Sequence, residues 1–189
     1  MGSIFSRMFA PKHTVIFMAG LAGAGKTTIL YKMKLGAVSV DSSAASAAAG
    51  VALELEQATY KTTRVVAFDL PDAEAACATA LAAAVSIHGT AAALIFVVDA
   101  TDHGSFAGAR ARLEQLCAAH GAAVPLLLFA HKQDMPNASN APATAAALGL
   151  AEAAETAQAR PSVALGSMGN TGEGLYEGLD WLVQQLHPR

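Results

Sequence analysis

Charge is scarce in this 189-residue chain: Asp, Glu, Lys and Arg together make up 14% of it. Twelve Lys and Arg against fifteen Asp and Glu leave a formal net charge of −3, without the basic surface that bulk nucleic-acid binding requires. No nucleic-acid partner is expected. Aromatic side chains are also few, at 6%, with one tryptophan, Trp181. Cysteine occurs only at Cys77 and Cys117, too far apart for a metal spacing, so two buried thiols in a reduced, cytosolic protein are expected. No apolar run approaches the ~20 residues of a membrane span, and no secretory apolar core stands near the start.

What is present is apolar but small. Hydrophobic residues reach 53% and mean hydropathy is +0.38, yet alanine alone supplies about a quarter of the chain. The length suits one domain. Short apolar runs end in glycine or polar residues at Thr14–Ala19, Arg64–Asp69, Ala93–Asp99, Pro125–Ala130 and Ser162–Leu165, which predicts buried strands. Alternation at Val51, Leu53 and Leu55 predicts a half-buried strand. Helical spacing marks Lys26–Leu35 and the stripe Leu175, Leu179, Leu182, Val183 and Leu186. Asp72–Ala93 is alanine-rich and partly helical, with a break at His88-Gly89, and Asp41–Gly50 reads as a loop. Strands alternating with helices predict an α/β domain with a mostly parallel sheet.

Gly20-Leu21-Ala22-Gly23-Ala24-Gly25-Lys26-Thr27 fits G-x-x-x-x-G-K-[ST] between a strand and a helix. Glycines let successive N–H groups turn toward a phosphate, and the helix start adds partial positive charge. Lys26 would bridge the β- and γ-phosphates, Thr27 would offer its hydroxyl to Mg2+, and Thr28 would reach a further phosphate. Asp69, at a strand end, is the candidate for a second magnesium contact. His131-Lys132-Gln133-Asp134 follows another apolar strand. Asp134 can accept from the N1 and N2 donors of guanine, a pair adenine lacks, while the Lys132 stem covers the base.

With MGSIFS, GLAGAGKTTILYKMKLG, LIFVVDATD, LLLFAHKQDMPNA and TGEGLYEGLDWL, the chain resembles the ADP-ribosylation factor (Arf and Arf-like) family of small GTPases. The resemblance runs end to end except across Gly36–Ala92. It implies a three-layer P-loop fold, a six-stranded mostly parallel sheet flanked by helices, with GTP or GDP and Mg2+ at the carboxyl ends of the strands. It also implies nucleotide contacts from Ala22, Gly23, Ala24, Gly25, Lys26, Thr27, Thr28, His131, Lys132 and Asp134, and loosely from Met168 and Gly169, where the family contacts guanine O6. Effectors and exchange factors would be the protein partners, and vesicle trafficking the process served.

The departures lie in the segments that sense the γ-phosphate. The family's magnesium-binding threonine aligns with Gly50, with Ser42, Ser43 and Ser46 as the nearby hydroxyls. Asp-x-Gly-Gly-Gln becomes Asp69-Leu70-Pro71-Asp72-Ala73. The sensing glycine is thus Asp72, Pro71 lacks a donor, and Ala73 replaces the glutamine that orients water. His131 replaces an asparagine. Slow or absent hydrolysis is expected, with no catalytic residue assigned. A nucleotide-bound adaptor that no longer cycles is the alternative. A P-loop small-molecule kinase is the weakest reading, because its arginine lid has no counterpart among the six scattered arginines.

Met1-Gly2-Ser3-Ile4-Phe5-Ser6 fits N-myristoylation at Gly2. Ile4, Phe5, Met8 and Phe9 then share one face of a short helix, flanked by Arg7 and Lys12. Residues 1–13 are therefore expected to form an acylated amphipathic helix and 14–189 the GTPase domain. Such a protein would be cytoplasmic and peripheral on an internal membrane, the Golgi or a similar one. Trp181 is expected to pack on the sheet, and His88, His103 and His120 to be solvated.

Overall fold

The computed structural model describes residues 14–35, 46–48, 51–53, 56–60, 63–71, 73–121, 123–150, 152 and 160–186. β1 (Thr14–Gly20) leads through the glycine-rich turn into α1 (Lys26–Leu35). β2 (Ser46–Ala48) and β3 (Val51–Leu53) form a separate antiparallel ribbon, so part of the segment expected to be a loop is strand. β4 (Glu56–Tyr60), β5 (Thr63–Asp69), α2 (Glu74–His88), β6 (Ala93–Asp99) and α3 (Phe106–His120) follow, with a 3-10 turn at His103–Ser105. β7 (Leu126–His131), α4 (Ala141–Ala147), β8 (Ser162–Ser167) and α5 (Leu175–Leu186) complete the order.

The main sheet has six strands in the order β4-β5-β1-β6-β7-β8, and only β4 runs antiparallel to its neighbour. The expected six-stranded, mostly parallel sheet is therefore present. Its edge strand differs from expectation: Glu56–Tyr60 pairs with β5, while Val51–Leu53 pairs with β2. The sequence EQATY hid this strand, because an edge strand needs few large apolar residues and only Ala58 is fully buried.

Two apolar layers sandwich the sheet. Phe17, Val66, Phe68, Leu94, Phe96 and Leu128 meet α2, α3 and Leu148 on one face. Ile16, Met18, Val65, Ile95, Leu127 and Phe129 meet α1 and α5 on the other. Burying each such side chain contributes roughly 1.5–3 kcal/mol, and these large residues compensate for alanine elsewhere. α2 has Ala73 at its N-cap, with no side-chain cap, and relies on alanine propensity and burial of Cys77, Ala80, Leu81, Ala83 and Ala84. It ends at Gly89, φ 81°, where the break was expected.

The histidine expectation needs correction. His120 is buried, with its ring edge-on to Phe17 at 5.3 Å and Nδ1 2.9 Å from the Leu116 carbonyl. His88 is half-buried with its Nε2 enclosed, whereas His103 stays exposed, as expected, with Nε2 3.0 Å from Ser139 Oγ. Helix ends that dip into the core carry the His88 and His120 rings inward. Trp181 packs against the α1/α5 layer, as expected. Cys77 is buried and Cys117 only partly so, and both are free thiols. No helix among the described residues is long and apolar enough to cross a membrane.

Candidate nucleotide site

The five parallel strands end in one row. Gly20 of β1 stands in register with Asp69 of β5, Asp99 of β6 with His131 of β7, and His131 with Ser167 of β8. The sheet reverses its winding between β1 and β6, the switch point beside which α/β sheets place their ligands.

The phosphate loop occupies the β1 end of this row. Gly23 and Gly25 take φ of 74° and 105°, conformations that side chains disfavour. Ala24 N donates to Leu21 O at 3.3 Å and Ile29 N to Gly25 O at 3.0 Å, which closes the loop onto the helix. The first turn of α1 leaves the amides of Lys26, Thr27 and Thr28 without intrahelical acceptors, as at any helix start. Lys26 is 5% exposed, and its Nζ donates to Gly20 O at 3.1 Å and Leu21 O at 2.7 Å. It also pairs with Asp69, which is 61% exposed. Burial pushes the Lys26 ammonium below its ordinary range, against the opposing pull of Asp69.

Thr27 is exposed at the head of α1, and Asp69 ends the strand beside β1. A hydroxyl and a carboxylate are hard oxygen donors suited to Mg2+, which characteristically takes one or two protein oxygens and completes its shell with phosphate and water. Among the described residues no three His, Cys, Asp or Glu side chains group to hold a metal by themselves. The donors present fit a magnesium ion carried in with phosphates.

At the β7 end, His131 is 2% exposed and its Nδ1 lies 2.9 Å from Ser167 Oγ. A Cβ on Gly25 would come within 2.7 Å of its Nε2, and one on Gly169 within 3.3 Å. Burial, and next the Lys132 charge, hold the imidazole below its usual range, opposed by Asp134 and Asp99. Lys132 adopts φ 64° and its Nζ donates to Asp99 Oδ2 at 2.5 Å. Gln133 donates to Ala130 O at 3.2 Å and Ser139 O at 2.8 Å, which fixes the turn that presents exposed Asp134.

The structure thus brings Ala22–Thr28, Asp69, His131, Lys132, Asp134 and the β8–α5 loop to one end of the sheet. The Met168 amide donates to Glu173 O at 3.1 Å, because the turn before α5 folds back on it. Gly169 lies against His131 and Thr28. Ala73 is exposed at the start of α2, and Leu70 N donates to Gly20 O at 3.0 Å. Gly2, Ser42, Ser43, Gly50 and Asp72, and with them the residues 1–13, lie outside the described residues. Ser46 falls in β2. Sequence reasoning missed Asp99, Thr101 and Ser167. Only the VVDATD and GSMG strand ends could have flagged them.

Away from this row, a groove of about 570 Å³ runs between α2 and α3, lined by Ala78, Leu81, Ala82 and Val85 on one side. Its polar members are Ser86 and Gln115, too few to orient a charged ligand.

Comparison with known proteins agrees with this geometry. A solved structure of the Arl6 BBS3 small GTPase from Trypanosoma brucei, with bound nucleotide analogue GppNp, superposes with a TM-score of 0.66 at 25% sequence identity. The match covers 92% of this chain and 97% of that one. The sequence model of Arf, the ADP-ribosylation factor family, matches residues 1–186. A P-loop at the first strand end, a six-stranded sheet of this order and a family match over nearly the whole chain lead to one conclusion: the protein belongs to the ADP-ribosylation factor family.

Proposed function

We propose that the protein binds guanine nucleotides with Mg2+ and acts as an Arf-like switch with weak or absent intrinsic hydrolysis. The observation that carries this reading is the single row of strand ends on which the phosphate loop and the Lys132–Asp134 turn stand together. The bound GppNp of the Trypanosoma relative supports it.

In this reading the amides of Gly23–Thr28 bind the phosphate oxygens, and Lys26 neutralises the β- and γ-phosphates. When bound through Thr27 and Asp69, magnesium would balance phosphate charge. Asp134 accepts from guanine N1 and N2, and Lys132 covers the base. The ring of His131 supports both loops by packing between Gly25 and Gly169. With a methyl group at Ala73, the position where the family carries its glutamine has no group to orient an attacking water. That feature also favours the second reading, an adaptor that holds nucleotide without cycling.

The test is titration of the purified chain with fluorescent GDP, GTP and ATP. Guanine nucleotides are expected to bind at least a hundredfold more tightly than ATP. Equal affinities would overturn the role of Asp134.

The reading extends to the membrane. Myristoylation at Gly2 and the apolar face of Ile4, Phe5, Met8 and Phe9 would place the protein on an internal membrane, where effectors and exchange factors meet it in vesicle traffic. One acyl chain alone gives only marginal binding, on the order of 10⁴ M⁻¹, so the helix supplies the second signal. Gly2→Ala is expected to move the protein from membrane to soluble fractions. Identical partition of variant and wild type would refute acylation.

A further inference from the structure

Asp99 ends β6 beside the reversal point of the sheet, and both oxygens of its carboxylate are engaged. Oδ1 accepts from Thr101 N at 2.9 Å and from Thr101 Oγ1 at 2.6 Å, while Oδ2 accepts from Lys132 Nζ at 2.5 Å. Burial raises the carboxyl pKa, but hydrogen bonds from Lys132 and Thr101 outweigh it and hold Asp99 below the usual carboxylate range. The carboxylate is thus held charged, and its hydrogen bonds orient it.

The consequence falls on the lysine stem. Lys132 leaves the end of β7 with φ 64°, and its ammonium is anchored one strand away, on β6. Its four methylenes therefore lie across two neighbouring strand ends, whose residues Asp99 and His131 stand in register. An unanchored lysine would sample many rotamers, and a planar base would have to order it on binding.

We propose that Asp99 is a positioning residue for base recognition, holding the Lys132 stem across the ends of β6 and β7 as a preformed apolar support for the face of a guanine base. This deepens the guanine-nucleotide reading and rests on it. Asp99 touches no ligand in this role and acts through Lys132. Thr101 acts one step further out, by fixing the carboxylate.

The test is a double-mutant cycle read by fluorescent GDP dissociation on the full chain, with Asp99→Asn, Lys132→Met and the two combined. Ordering one long side chain corresponds to a change of about three- to tenfold in affinity. Asp99→Asn is expected to weaken GDP by that factor, chiefly through faster release, and to have no further effect once Lys132 is methionine. Asp99→Glu, which keeps the charge, is expected to recover part of the loss. Thr101→Val gives a second route should Asp99→Asn fail to fold, with a smaller loss that also vanishes beside Lys132→Met. Unchanged GDP release in either variant, or an equal loss with and without Lys132, would overturn the positioning role while leaving guanine binding intact. A wild-type chain that does not bind GDP would overturn both.

Discussion

The imidazole of His131 packs against the bare Cα of Gly25, joining the end of β7 to the phosphate loop. The same ring reaches Ser167 at the end of β8 through Nδ1. Three segments that sequence places far apart are thereby held by one buried side chain.

Gly25→Ala is expected to be costly for two separable reasons. Its φ of 105° disfavours any side chain, at about 1–3 kcal/mol, and the new methyl group would collide with His131. Urea unfolding should show a large loss of stability. Adding His131→Ala relieves the collision and leaves the backbone strain, so the double variant should be less destabilised than the two single losses summed. Strict additivity would mean that the contact is unimportant.

Lys26→Met separates folding from phosphate binding. Lys26 is buried while its partner Asp69 is mostly exposed and can return to water. Replacing the buried ammonium by an apolar chain of similar length should leave stability within about 1 kcal/mol of wild type, or raise it. GDP affinity should nonetheless fall by two orders of magnitude or more, because the phosphates lose their close cation. Thermal melting and nucleotide titration on one preparation check both halves.

Stability should decline on mild acidification. Burial holds His131 and His88 below the ordinary imidazole value of 6.5, reinforced by the charges of Lys132 and Arg64 respectively. Below about pH 6.5 the unfolded chain takes up protons at these positions while the folded chain does not, so unfolding gains free energy. Above that pH both states are neutral and the contribution is flat. Urea midpoints measured from pH 8 to pH 5 should stay level and then fall, and replacing both histidines by asparagine should flatten the fall. A midpoint that rises on acidification would contradict the burial of these rings.

Intrinsic GTP hydrolysis should be no faster than the roughly 10⁻⁴ s⁻¹ of unassisted small GTPases, and slower where it can be resolved. Ala73 carries no group to orient water and sits exposed at the head of α2. Single-turnover assays should show this, and Ala73→Gln is the variant to raise the rate if orientation of water is what is missing. Rapid hydrolysis by wild type would mean that another side chain supplies that orientation.

Much of this protein is written in local sequence. The runs TVIFMA, ALIFVVD and PLLLFA read as buried strands, and the loop GLAGAGKT carries glycine where φ turns positive, at Gly23 and Gly25. Local steric rules and hydrophobic burial act over a few residues, so they are readable without a fold. The edge strand Glu56–Tyr60 was not readable, since its identity comes from pairing with β5 rather than from its side chains. Nor were the inward turns of His88 and His120, or the withdrawal of the Met168 amide to Glu173. The contacts Asp99–Lys132, His131–Gly25 and His131–Ser167 join strand ends to one another and to the phosphate loop, with separations of 33 and 36 for the two hydrogen bonds. Only the order and register of the parallel sheet bring such residues within reach, because strand pairing sets distances that no sequence spacing contains.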